Sequence, residues 1–205
     1  MNRLLRPVAP LALAVALGGC SLGGLLGGGT KAPTTLLTLT PSAAEPGQIA
    51  RAANAGQAVT IAVPVVAKEL RTVRVPVQAT PTDVQYVTNL HWVDTPDHLF
   101  QELVAETVRR TTDRVVLDPH QATLDPGLLV SGTLQRFGYD AASGQVVVQY
   151  DGALSTAGGT RVETRRFTAS VPADGTAASV GPALNEAANQ VAADVAKWIS
   201  GSPAN

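Results

Sequence analysis

Residues 83–112 read DVQYVTNLHWVDTPDHLFQELVAETVRRTT. The first ten alternate, placing Val84, Tyr86, Thr88, Leu90 and Trp92 on one face of a strand with one side buried. Asp94-Thr95-Pro96-Asp97 then changes the period. Asp94 or Thr95 offers a side-chain oxygen to unpaired amides, Pro96 suits the first helical position, and Asp97 complements the helix dipole. Leu99, Phe100, Leu103, Val104 and Val108 follow at helical spacing, which predicts a helix from Pro96 to about Thr111 with one apolar stripe. A half-buried strand feeding an amphipathic helix points to a helix layer packed against a sheet.

Working outward, Val115–Leu117, Leu128–Tyr139, Gln145–Leu154 and Arg161–Val171 read as strands. Ala141-Ala142-Ser143-Gly144 and Ala157-Gly158-Gly159 lie between the last three as turns, so these should form an antiparallel meander. Val180, Leu184, Ala188, Val191, Val195 and Trp198 mark a closing helix that starts near Thr176 or at Pro182 and runs to Ile199. Before the quoted stretch, Thr35–Thr40 predicts a short strand. Val59–Val66 predicts another, interrupted by Pro64, and Leu70–Val77 alternates with Pro76 near its end. The order predicts an α+β fold, a mainly antiparallel sheet with two helices packed on one face.

The beginning of the chain has a different character. Arg3 and Arg6 precede an apolar run from Val8 to Leu17, and Leu17-Gly18-Gly19-Cys20 closes it. The run is shorter than the roughly 20 residues a membrane-spanning helix needs. It has the layout of a signal peptide, and its end resembles a lipobox. On this reading residues 1–19 are a lipoprotein signal peptide cleaved before Cys20. Residues 20–34 are an acylated cysteine and a flexible Gly-rich tether, residues 35–200 are the domain, and residues 201–205 are a tail. Covalent acyl chains on Cys20 are the one attached group expected, and they would hold the domain to a membrane. Ser21 follows the cysteine where Asp would favour the inner membrane by convention, so the outer membrane, facing the periplasm, is expected.

Composition narrows the function. Cys20 is the sole cysteine, so no internal disulfide and no thiolate-clustered metal site can form. The net charge is −1 and falls to −3 when Arg3 and Arg6 leave with the leader; no basic run occurs downstream, which argues against nucleic acid. His91, Asp94 and His98 are close enough to raise a metal site. However, His98 shares a helical face with Glu102, Glu106 and Arg110, a solvated stripe on which Glu106 and Arg110 can pair, so no metal is expected. Ser131, Ser143 and Ser170 have no nucleophile-elbow context, and Asp118 with His120 fits a loop; no enzyme is indicated. Gly29-Thr30-Lys31 has the wrong order for a phosphate loop. Trp92 and Trp198 each lie on the apolar stripe of their own element and are expected in the core. The segment with Leu70, Arg71, Val73 and Arg74, where cations interleave with apolar side chains, is the expected partner-contact surface, and it reads equally as a plain edge strand.

These features in order carry a resemblance. The lipobox and Gly-rich tether are followed by Leu36-Leu37-Thr38-Leu39, Val59-Thr60-Ile61-Ala62-Val63-Pro64-Val65 and Leu90-His91-Trp92 running into a helix. Val130–Phe137 and the Ala-rich final helix complete the pattern. Together they resemble the ABC-type transport auxiliary lipoproteins, which include the intermembrane-transport lipoproteins of the paraquat-inducible type. The resemblance implies a non-catalytic periplasmic adaptor in an intermembrane system for lipid or other hydrophobic cargo. Its partners would be an MCE-domain protein and an ABC transporter permease, and self-association is implied as well. Two other readings are a lipoprotein that assists outer-membrane or cell-wall assembly and, more weakly, a small periplasmic hydrolase. The latter would need a deep polar pocket joining His91 or His120 to a serine.

Overall fold

The computed structural model describes residues 35–54, 56–121, 127–156 and 161–202, all within one compact unit, Pro33–Asn205. Cys20 and the stretches read as a signal peptide, 1–19, and a tether, 20–34, lie outside the described residues. In chain order the elements are β1 (Val59–Ile61), β2 (Val65–Val66), β3 (Arg74–Thr80), β4 (Asp83–His91), α1 (Pro96–Thr111), β5 (Val116–Leu117), β6 (Leu128–Asp140), β7 (Gln145–Ser155), β8 (Val162–Pro172) and α2 (Ala177–Gly201). Short 3-10 turns at Lys68–Leu70 and Pro119–Gln121 precede β3 and follow β5.

The expected meander forms, with a turn at 141–144 between its first two strands; the turn expected at Ala157-Gly158-Gly159 lies outside the described residues. β7 pairs antiparallel with β6 and with β8, the second ladder running without a slip from Gln145 opposite Pro172 to Ser155 opposite Val162. The other edge of β6 departs from the expectation of a mainly antiparallel sheet, and the eight-stranded sheet is mixed. β1, β2 and β3 lie in turn along that edge, all parallel to β6, with Val59 opposite Leu128, Val65 opposite Thr133 and Val77 opposite Tyr139. They form one interrupted row, because Pro64 has no amide to continue the ladder and the Lys68–Leu70 turn lifts the chain away. Beyond this row β5 pairs parallel with β1, and β4 pairs antiparallel with β3.

Both helices cover one face of this sheet. Leu99, Phe100, Leu103, Val104 and Val108 of α1 are buried, as is the whole predicted stripe of α2 from Val180 to Trp198. An aromatic run links the layers. Phe100 of α1 lies 5.2 Å from Tyr150 of β7, Tyr150 stacks on Phe167 of β8, and Phe167 lies 5.4 Å from Trp198 of α2. Offset and tilted contacts of this kind each add about 1 kcal/mol to the burial itself. Trp92 is packed against Phe137 at 5.6 Å, so both tryptophans are in the core as their stripes indicated. α2 passes through Pro182, which is exposed, and ends at Gly201, two residues beyond the expected end.

Two irregularities reset which residues face inward. A bulge between Leu134 and Arg136 shifts β6 by one residue, so Leu128, Val130 and Leu134 face the helices before it and Phe137 after it. In β4 the register slips between Tyr86 and His91, where Asn89 adopts φ 57°. The alternation predicted from Val84 through Trp92 therefore fails. Val84 and Thr88 are exposed, and the buried residues are Val87, Leu90 and Trp92.

Thr35–Thr40 makes a single bridge rather than a strand, Leu37 opposite Trp92. The chain then runs as a strap over the helices. Asn185 Oδ1 accepts from the Thr40 amide at 2.8 Å and Asn189 Oδ1 from the Ser42 amide at 2.7 Å, while Asn189 Nδ2 donates to the Thr40 carbonyl at 2.9 Å. Further along, Arg110 donates to the Ala43 carbonyl, and Arg51 reaches back to the Arg109 carbonyl at the end of α1. Side chains on helices thus supply the hydrogen bonds that a neighbouring strand would give.

Candidate contact surface at the end of β4

The sequence-predicted surface divides on folding. Leu70 is buried, 2% exposed, and holds the 3-10 turn against the core. Arg71, Val73 and Arg74 remain on the outside. The Arg74 guanidinium lies 3.8 Å from the centre of the Tyr86 ring, a cation-π contact that fixes it against β4, and the Tyr86 hydroxyl donates to the Glu69 carbonyl at 3.4 Å.

Backbone pairing brings two further apolar residues to this place. The Trp92 amide donates to the Val73 carbonyl at 2.7 Å, the Leu37 amide to the His91 carbonyl at 2.8 Å, and the Val93 amide to the Leu37 carbonyl at 2.8 Å. Leu37 and Trp92 point inward, so their chain neighbours Leu36 and Val93 alternate outward, 52% and 55% exposed. The result is an outer face that carries Leu36 and Val93 with Arg74, which is paired with His91; Val73, opposite Trp92, belongs to the inward line and is 37% exposed at its end, with Arg71 just before it. Lys68 and Glu69 sit on the preceding turn and Asp94 on the following one. Sequence reasoning missed Leu36 and Val93, because they are brought together by pairing between distant segments.

The chemical candidates separate from this corner. His98 Nδ1 lies 3.3 Å from Asp94 in a half-exposed pair, and among the described residues no group of three metal-ligating side chains comes together. Glu106 pairs with Arg110 at 2.7 Å on α1, as the stripe predicted, and the guanidinium lowers its carboxyl below the ordinary glutamate value against an opposing contribution from burial. Ser131 lies in β6, with its carbonyl accepting from the Tyr150 hydroxyl, Ser143 in the β6–β7 turn and Ser170 on β8. His120 is exposed in the turn after β5. An open groove of about 470 Å³ along α1, bordered by Pro41, Gln101, Glu102, Glu106 and Arg109, contains neither histidine nor serine. Tyr150 is raised well above the ordinary tyrosine value by burial and is a neutral core residue at physiological pH.

The fold has solved counterparts. A Xanthomonas campestris protein of the DUF330 family superposes with a TM-score of 0.63 at 19% identity, covering 82% of this chain and 92% of its own. An uncharacterized protein superposes with a TM-score of 0.59 at 15% identity, covering 74% and 97%. At these identities the likeness concerns the fold alone. A PelC dodecamer from Paraburkholderia phytofirmans aligns at a TM-score of 0.46 and 17% identity over 75% of this chain and 96% of its own, too distant to carry an argument. No curated protein matches the chain. The family model described as "ABC-type transport auxiliary lipoprotein component" matches residues 37–196, from the bridge at Leu37 to the last turns of α2. With well over half of the sequence matched and the mixed sheet and two helices in place, the chain belongs to the family of ABC-type transport auxiliary lipoprotein components.

Proposed function

We propose that this protein is the periplasmic lipoprotein of an MCE/ABC-type intermembrane transport system. It is anchored at the outer membrane through acyl chains on Cys20 and acts as a non-catalytic adaptor for lipid or other hydrophobic cargo. The match of residues 37–196 to a family of transport auxiliary lipoproteins carries the reading. The Arg3-to-Cys20 pattern supports the anchor, since two or more acyl chains hold a protein stably on a bilayer. An adaptor works through surfaces, and Arg71, Val73 and Arg74 at the β4 corner, seated on Leu70, are its contact residues.

The test is capture of the tagged, acylated protein from detergent-solubilised envelopes beside a Cys20→Ala control, with identification of what is retained. An MCE-domain protein and its ABC permease are expected with the acylated form. Recovery of a β-barrel assembly factor or a peptidoglycan synthase alone would move the protein to envelope assembly, and recovery of nothing would remove the adaptor reading.

A further inference from the structure

We infer that the β4 corner is a bilayer-contact face, against which Leu36 and Val93 meet the lipid interface while Arg71 and Arg74 reach headgroup phosphates. The inference rests on the proposed acylation of Cys20 and names the partner of that contact surface.

The position of the corner carries the argument. Leu36 is its first apolar residue in the chain and lies about 16 positions after Cys20. The intervening sequence includes Gly23, Gly24, Gly27, Gly28 and Gly29. Sixteen residues can span at most about 55 Å. The corner is therefore the part of the described domain joined most directly to the anchor, and tethering at such a span gives a millimolar effective concentration of bilayer surface. A contact too weak to hold a soluble protein becomes populated under those conditions.

The composition of the corner fits an interface better than it fits water. Leu36 and Val93 are exposed on the same face although each is joined by backbone hydrogen bonds, directly or through its neighbour, to the line of Leu37, Trp92 and Val73 across the sheet. Exposed apolar groups clustered on rigid backbone mark contact sites more often than scattered ones do. Arg71 and Arg74 carry long apolar stems that can lie along such a surface with the guanidinium at the polar level, and guanidinium binds phosphate through paired donors. Glu69 and Asp94 adjoin the same corner, and Lys68 adds a third cation; the attraction to anionic headgroups is thus modest, and the anchor supplies most of the affinity. The far edge of the sheet is a natural control. Val162 on β8 is 60% exposed, but it lies beyond β3, β6 and β7 from the corner.

Nitroxide labelling tests this directly. Acylated Cys20 leaves no other thiol, so Leu36→Cys, Val93→Cys and Val162→Cys can each be labelled singly in full-length acylated protein in nanodiscs of phosphatidylethanolamine and phosphatidylglycerol. Collision rates with oxygen, which concentrates in lipid, and with a water-soluble nickel chelate are then compared. The expected oxygen-to-nickel ratio at 36 and 93 is at least threefold that at 162, falling toward the 162 value when Arg71→Glu and Arg74→Glu are added. Equal ratios at all three sites overturn the inference and leave the corner to a protein partner. Mass spectrometry of the same samples reads the acyl groups on Cys20 separately, so a failed anchor is distinguished from a domain that is anchored but stands away from the bilayer.

Discussion

Asn189→Ala probes the strap that carries the chain from the β4 corner over the helices. Asn189 is 7% exposed, and its amide side chain accepts from Ser42 and donates to Thr40 and to the Asn185 carbonyl. Each neutral hydrogen bond contributes about 1 kcal/mol net, so removing the two that reach the strap destabilises it by about 2 kcal/mol. α2 itself loses little, because alanine is the better helix former by about half a kcal/mol. The strap also keeps Asn185 on Thr40, Arg110 on Ala43, and Leu37 and Leu39 packed on the core. The loss should therefore appear as local opening and not as global unfolding. In native-state hydrogen exchange the Thr40 amide, whose own acceptor is untouched, is expected to exchange about 30-fold faster, the factor that about 2 kcal/mol implies. Amides in the middle of β7, such as Val148, should keep their protection. Unchanged exchange at Thr40, or an equal loss at Val148, would refute the assignment of the strap as a separately held segment.

Two further outcomes follow from the sheet and its ion pairs. Gly138→Ala would place a methyl carbon 2.4 Å from the Pro76 carbonyl oxygen, so β3 and β6 must part; a loss of about 1–3 kcal/mol is expected in urea unfolding, with Gly201→Ala, where nothing lies within 4 Å, close to neutral. Glu106, Asp140 and Asp151 are held below their ordinary values of 4.5, 3.8 and 3.8 chiefly by hydrogen bonds from Arg110, Arg136 and Arg166 respectively. Carboxylates lowered on folding contribute stability that is fully present above those values and is lost as pH falls through the folded ones. The urea midpoint should accordingly drop below about pH 4.5, and Glu106→Gln should make that drop smaller; a midpoint that rises on acidification would contradict the sign.

Local sequence determined those parts of this protein whose partners are near in the chain. Pro96 and Asp97 at its start and the Leu99-to-Val108 spacing set α1, although neither Asp94 nor Thr95 makes the expected side-chain cap; the stripe from Val180 to Trp198 set α2, and the turn around Ser143 set β6 and β7, because hairpins and amphipathic helices are encoded within a few residues of themselves. Glu106 and Arg110 were legible as a pair for the same reason. The bulge after Leu134 and the left-handed Asn89 lay beyond that reading, since each inserts one step into an alternating pattern that looks unbroken as a string. Asn185 and Asn189 stood in the sequence as two polar residues one turn apart on an apolar helix, but their acceptors and donors lie about 150 positions away. The parallel row of β1, β2 and β3 along β6, and with it the corner that carries Leu36 and Val93, was decided only by the tertiary structure. Parallel pairing joins segments with no turn between them, so nothing local records it, and it forms when burying one face of every strand under the same two helices leaves β6 with an edge to fill.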